Sequence, residues 1–252
     1  MHSVTVVVPI FKPCSFRSRN LNFLVNELNK LQLKVIVAEQ TLNDIKSNWF
    51  EKLSNINQIN FEKNTKHFHK TYLCNKIIEH VETEYIWFID SDFYTDFTSV
   101  LRNQKYTNYD FFKPFNTCKD LNEFQTQQLV ETKYMDENML KMNMSSDRSI
   151  KYFGALSYIC KVSSFRTSGQ LDEKYTGWGY EDLDLFLNIY NQKYSIGVAH
   201  DVNAVHMWHP PTVDKAKHML INKKYFESKG YTIDKVKQAH RELFESKTVT
   251  DY

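Results

Sequence analysis

The residues able to do chemistry fall in a few short segments. Asp90-Ser91-Asp92 follows the wholly apolar run YIWFI, Tyr85 to Ile89. An aspartate at the end of a strand is commonly a turn-former or a cap. Here two carboxylates leave a buried strand one residue apart, and both can turn into one site where strand gives way to loop. Such a pair repels unless a divalent cation lies between it and an anionic ligand. A metal at Asp92 is therefore expected. His206 and His209, in VHMWHP, are three residues apart and closed by a proline. A lone histidine is more often a core or surface residue, but two at this spacing suit a metal, and spacing does not choose between them. An imidazole joined to carboxylate and phosphate oxygens favours Mn²⁺, with Mg²⁺ preferring all-oxygen shells.

An anion has its own candidates. Only six arginines occur in the chain, and Arg17 and Arg19 lie close together after the first apolar run. Read as a loop, that segment would meet a diphosphate, given the preference of arginine for bidentate phosphate contacts. Lys70 is a third cation for the same ligand, and a solvated basic turn is the plainer alternative. Glu39, at the end of the second apolar run, could accept hydrogen bonds from a ribose or a base.

The segment YTGWGYEDLDLF, Tyr175 to Phe186, sets a tryptophan between two glycines and follows it with crowded carboxylates. Leu183, Phe186, Leu187 and Tyr190 keep helical spacing, so a helix is expected to begin near Glu181. Carboxylates in a first turn complement the helix dipole, which explains one of the pair without any chemistry. Helical geometry puts Asp182 at the border of the apolar stripe and Glu181 opposite it. A carboxylate at that border can face a cleft and accept a proton. Gly177 and Gly179 allow the backbone turns of a moving loop, and Trp178 then reads as a lid whose indole face covers a sugar.

These residues need a scaffold that gathers them. VTVVVPI (Val4 to Ile10), LKVIVAE (Leu33 to Glu39) and YIWFI read as buried parallel strands. Helical patterns around Leu21 to Leu28 and Thr71 to His80 separate them. Strand, helix, strand, helix, strand is the alternation of a doubly wound α/β sheet, whose ligands bind beyond the carboxyl ends of the strands. Past about residue 110 the pattern is less regular. Lys113-Pro114-Phe115 reads as a short strand or turn, Leu121 to Tyr134 as a polar helix, and GALSYICKV (Gly154 to Val162) as a strand. SIGVAHDVNAVHMWH holds two more short strands, and the chain from Asp214 on is charged and helix-prone. The expected organisation is one domain. Residues 1 to about 110 form a nucleotide-type half, about 111–212 an irregular acceptor half, and about 213–252 C-terminal helices.

At 252 residues with 42% hydrophobic and 25% charged content, the composition is that of a globular protein. A net charge of +2 gives no ground for a nucleic-acid surface. Cys14, Cys74, Cys118 and Cys160 lack metal-ligand spacing, and free thiols in a reducing compartment are expected. No run approaches the length of a membrane span. A cytoplasmic protein, in solution or at an inner membrane face, is the resulting expectation.

With these segments assembled, the sequence resembles the GT-A glycosyltransferases, in the group of the β-1,4-galactosyltransferases and chondroitin-polymerase-like enzymes. The resemblance runs over most of residues 4 to 212 and is weakest between about 93 and 150. The first strand with Phe16 to Arg19 looks like that group's nucleotide loop. FHK with Asn75 looks like its F-x-R-x4-N segment, with Lys70 in place of arginine. IDSD looks like the metal-binding D-x-D, GWGYED like W-G-G-E-D, and HMWH like the C-terminal metal-ligand segment. The resemblance implies a Rossmann-like half with a mixed sheet fused to an acceptor half. It also implies a UDP-sugar donor and a hydroxyl acceptor on a glycan or other molecule. Pro9, Phe11, Arg17, Arg19, Glu39, Lys70, Asp90, Ser91 and Trp178 would meet the donor. Asp92 would bind the metal with His206 or His209, and Asp90 the ribose or the metal. Asp182 would be the base, with Glu181 beside it. A base opposite the leaving group implies transfer of the hexose with inversion. Tyr180 in place of the second glycine, and Leu183 in place of an aspartate that helps hold the acceptor sugar, depart from the group. A retaining enzyme like the polypeptide N-acetylgalactosaminyltransferases is the nearest alternative, and a non-catalytic nucleotide-sugar binder the next. A metal-dependent nuclease fits the carboxylates and histidines but not the charge.

Overall fold

The computed structural model describes residues 3–12, 14–42, 55–63, 65–135, 153–212 and 214–245. The first half of the chain runs β1 (Val4–Ile10), α1 (Ser15–Lys30), β2 (Lys34–Thr41), β3 (Ile56–Glu62), α2 (Lys70–Ile77), β4 (Tyr85–Ile89), β5 (Phe93–Thr95) and α3 (Phe97–Asn103). The second half runs β6 (Phe111–Lys113), β7 (Thr117–Asp120), α4 (Glu123–Thr132), β8 (Ser157–Lys161), α5 (Val162–Thr167), α6 (Glu181–Asn191), β9 (Ile196–Val198), β10 (Asn203–His206), α7 (Lys215–Ser228) and α8 (Ile233–His240). The helices α7 and α8 fall in the C-terminal segment, of which residues 213 and 246–252 lie outside the described residues.

β1 is buried along its whole length and pairs in parallel with β2 on one side and β4 on the other. That is the position a run of β-branched residues suits, since both faces meet apolar neighbours. Side chains alternate between the faces. Val4, Val6, Val8 and Ile10 join Trp87 and α1 in one core, whereas Val7 joins Ile36, Phe88 and α2 in the other. α1 contributes Leu21, Leu24, Val25 and Leu28, all fully buried at helical spacing. Each stabilises the fold by roughly 1.5–3 kcal/mol relative to exposure.

The main sheet has the order β3-β2-β1-β4-β8-β6-β9. Its first four strands are parallel. β8 then runs antiparallel to β4, β6 antiparallel to β8, and β9 parallel to β6. The sheet is thus mixed, as expected. Trp87 carries its indole N–H to Ser157 Oγ at 2.8 Å, which satisfies a buried donor at the junction of the two halves. A second, smaller sheet has the order β5-β10-β7. It opposes His206 of β10 to Phe93 on one side and to Asp120 on the other. No helix among the described residues is long and apolar enough to cross a membrane. The four cysteines are free, Cys14 exposed and the other three buried.

Candidate active site

A cavity of about 490 Å³ opens at the carboxyl ends of β1 and β4, between the main sheet, the small sheet and α7. Pro9, Arg17, Lys70, Asp90, Ser91, Asp92, Trp178, Glu181, Asp182, His206 and His209 line it. Residues from segments far apart in the chain thus share one cavity.

The small sheet builds the first cluster. Asp92 immediately precedes β5, and Met207 N–H bonds its carbonyl at 2.7 Å. His206, at the end of β10, places Nε2 3.5 Å from Asp92 Oδ1, and His209 Nε2 lies 3.1 Å from Asp92 Oδ2. The other nitrogen of each ring is engaged: Nδ1 of His206 with Asp120 Oδ1 at 2.9 Å, and Nδ1 of His209 with the Pro210 carbonyl at 2.7 Å. The tautomer that serves these bonds donates from Nδ1 and turns the Nε2 lone pair to Asp92. Lone pairs facing a carboxylate repel unless a proton or a cation lies between them. An oxygen on Nδ1 and a free Nε2 is how metal-ligating histidines are ordinarily held. The ligand atoms of Asp92, His206 and His209 all lie within 4.8 Å of one another, so this donor set fits a divalent cation.

The electrostatics agree. Burial opposes charge on Asp92, yet His206, His209 and Arg17 beside it hold its carboxyl well below the usual range. Burial likewise disfavours a charged His206, but Asp92 and Asp120 raise its pKa to about 10. The pocket has a standing demand for positive charge.

Arg17 reaches the same cluster from α1, donating from Nη2 to His209 Nε2 at 3.1 Å, with Nη1 3.6 Å from Asp92. Phe16 to Arg19 therefore form the first turn of a helix rather than a loop. β1 ends at Ile10, and α1 begins already at Ser15. Arg19 turns away, over the Phe16 ring and towards Asn20 Oδ1, and is absent from the cavity lining. Phe11 stacks on Phe68, which does line the cavity. Glu39 is buried and accepts from Gln58 Nε2 at 2.5 Å, outside the lining.

The second cluster surrounds Lys70, the first residue of α2. Its ammonium lies 2.7 Å from Asp90 Oδ1, so Asp90 faces this lysine and stands apart from the three-residue metal group. Burial works against the Lys70 charge, but Asp90, Asp182 and Glu181 together raise its pKa. One cation cannot offset three carboxylates. Burial and the neighbouring Glu181 push Asp182 well above the usual aspartate range, and burial raises Glu181 as well. Glu181 lines the cavity although it was expected on the opposite side of the helix. It is the first residue of α6, and the end of that helix, rather than one flank, points at the cavity.

The tryptophan loop is anchored on both sides. Asn75 of α2 brackets Leu171, donating to its carbonyl at 2.8 Å and accepting from its amide at 3.0 Å. Gly177 has φ +73°, and a Cβ there would come within 2.4 Å of the His218 ring on α7, so this glycine serves close approach. Tyr180, at φ +74°, occupies a left-handed conformation that favours glycine, and its ring packs 5.3 Å from Phe226. Sequence reasoning missed Asp120, Lys215, His218 and Asn222 at this site. Asp120 sits in a polar strand with no apolar signal, and the other three lie on a helix that looked merely charged.

No family model matches the chain, and no curated protein matches it. Among solved structures it is similar to S. aureus TarS 1-349 in complex with UDP-GlcNAc, with a TM-score of 0.52 and 16% identity over 83% of this chain and 60% of that one. The complex of TarS 1-349 with UDP overlaps with a TM-score of 0.51, 16% identity, and 82% and 61% coverage. The catalytic domain of Drosophila β1,4-galactosyltransferase 7 in complex with xylobiose overlaps at 0.49, with 12% identity over 80% of this chain and 66% of that one. The TarS likenesses define the fold, which is GT-A. The chain spans about 60% of the length of TarS 1-349.

Proposed function

We propose that this chain is a metal-dependent glycosyltransferase that moves a hexose from a UDP-sugar to a hydroxyl of a glycan or other acceptor, with inversion. One observation carries the reading: a metal-competent Asp92, His206, His209 group and the carboxyl of Asp182 line one cavity at the strand ends. TarS 1-349, of the same fold, binds UDP-GlcNAc and UDP, which supports a uridine diphosphate donor.

Asp92, His206 and His209 would hold the cation, Mn²⁺ by the chemistry of the donors. When bound, it supplies positive charge for the departing diphosphate. Arg17 adds a fixed guanidinium at the same end of the cavity, where negative charge develops. Lys70 holds Asp90 in place through its ammonium. Asp182, at the start of α6, takes the proton from the acceptor hydroxyl as its oxygen bonds to the anomeric carbon. The bond from that carbon to the diphosphate breaks with its electron pair going to the leaving group. Trp178 at the mouth excludes water from the reacting carbon, which separates transfer from hydrolysis.

The test is UDP release from a panel of UDP-sugars by the purified protein with Mn²⁺, with EDTA, and with Asp92→Ala. Mn²⁺-dependent turnover of one donor that is lost in the variant supports the reading and names the sugar. Absence of both turnover and Mn²⁺-dependent UDP binding sinks it. A product with the anomeric configuration of the donor would refute inversion alone.

A further inference from the structure

Helix α7 does more than cover the cavity. Asn222 is only 2% exposed, and its Nδ2 donates to three carbonyls of the tryptophan loop: Thr176 at 3.0 Å, Trp178 at 3.2 Å and Gly179 at 2.9 Å. Surface-loop carbonyls ordinarily turn to water. Here one buried amide, with two hydrogens, collects three of them from a segment more than forty residues earlier in the chain. The same helix lays the Lys215 ammonium 3.8 Å from the Trp178 ring centre and seats the His218 ring against Gly177. On its other side the loop is tied to the start of α2. Gly177 N–H donates to the Phe68 carbonyl at 2.8 Å, and Thr71 Oγ1 to the Tyr175 carbonyl at 3.2 Å. The glycines give the loop freedom, and Asn222 withdraws it.

We infer that Asn222 is a positioning residue for Trp178. By gathering these carbonyls it makes the tryptophan loop and α7 one unit, so the indole takes its place over the donor site only while the helix is docked. The loop then opens by undocking from α7, and does not flap on its glycines alone. Asn222 lies one helical turn from His218 and touches no residue of the metal group, so it acts through the loop.

The consequence is quantitative. If the competent loop is only a fraction of the population, the apparent donor affinity falls by that fraction, and saturating donor restores it. Losing this many buried hydrogen bonds shifts such an equilibrium by about tenfold or more. Asn222→Asp is nearly isosteric but offers no donor to the carbonyls. It is expected to raise the donor KM about tenfold and to leave kcat within about threefold. Asn222→Gln, which keeps the donor on a longer arm, is expected to recover part of the loss. The kinetic arm rests on the transferase reading, and a second arm does not.

Amide hydrogen exchange of the intact wild-type protein is the second arm. Residues 176–180 and 218–224 are expected to exchange in one shared opening, because loop and helix separate together. In Asn222→Asp the loop amides should exchange about tenfold faster. Loop exchange independent of α7 in the wild type, or unchanged in the variant, overturns the inference. So does an unchanged donor KM in an active variant. Shared exchange with no turnover of any donor overturns the transferase reading and leaves the role of Asn222 standing.

Discussion

Asp120 Oδ1 accepts a hydrogen bond from His206 Nδ1 at 2.9 Å, although 86 residues separate them. The small sheet makes this meeting, because its register sets His206 of β10 directly opposite Asp120 of β7. The bond fixes which imidazole nitrogen is free to face Asp92. Carboxylates in this position ordinarily account for 10–100-fold in metal affinity. Asp120→Ala is expected to weaken Mn²⁺ binding by about that factor, and Asp120→Asn, which can still accept the bond, by less. Calorimetric titration with Mn²⁺ checks both, and equal affinities in all three proteins would sink the role given to Asp120.

Asp182 should announce itself in the pH profile. A base must be ionised, and burial together with Glu181 raises the pKa of this carboxyl above its ordinary value. The ionised, active form is therefore lost as pH falls through a value above about 3.9, the usual aspartate figure. The acid limb of kcat/KM is expected on the high side of that value. Asp182→Asn should lower kcat by about 10²–10⁴-fold, abolish the limb and leave Mn²⁺-dependent UDP binding intact. An Asn variant that keeps both rate and limb would assign the proton to another group, with Glu181 first in line.

The strands β1, β2 and β4 were legible in sequence because they are buried on both faces, so that apolar runs alone mark them. Val4–Ile10 and Tyr85–Ile89 carry the expected bounds, and the aspartates beyond Ile89 line the cavity. β3, INQINFE, was not legible. It pairs only with β2 in the sheet order, and its partly exposed edge accepts Asn and Gln where a central strand would not. In the small sheet β10 lies within SIGVAHDVNAVHMWH, where short strands were expected, whereas β5 and β7, of three and four residues, are below the length at which alternation carries a signal. Asp120 went unnoticed for that reason. Asn222 was hidden by a different cause: its partners are backbone carbonyls, and no side-chain pattern records which carbonyls a fold leaves to be satisfied.

Tyr180 stands where a left-handed backbone favours glycine. That conformation costs about 1–2 kcal/mol for a residue with a Cβ. Its ring recovers this by packing on Phe226. Tyr180→Gly removes both terms and is expected to destabilise by about 1 kcal/mol, whereas Tyr180→Ala keeps the strain, loses the ring and should cost about 2 kcal/mol. Urea denaturation ranks the three proteins. An alanine variant more stable than the glycine variant would contradict the left-handed conformation.

Lys229, the C-cap of α7, lies 2.6 Å from Asp184 Oδ1 and 3.1 Å from Asp172 Oδ2, and thereby pins that helix to α6. Tyr175 donates to Asp184 at 3.0 Å and Tyr225 to Asp172 at 2.7 Å. Burial lowers the lysine's affinity for its proton, but the two carboxylates raise the pKa overall. A raised lysine pKa adds stability that is present below the unfolded value and is lost as pH rises through the folded one. Asp172 is lowered by its partners against burial, so its share is present above its unfolded pKa and is lost as pH falls through the folded value. The cluster therefore stabilises across the neutral range. Lys229→Met leaves both carboxylates without their cation. With the lysine side chain 28% exposed, the expected cost is about 2 kcal/mol, below that of a fully buried pair. Asp184 behaves differently: burial keeps its pKa raised even with Lys229 in contact, so its charge is held at a cost. Asp184→Asn should accordingly destabilise by less than Lys229→Met, and the double variant by less than the sum. Denaturant melts of the four proteins at pH 7 measure that coupling, and strict additivity would mean that the contact holds nothing together.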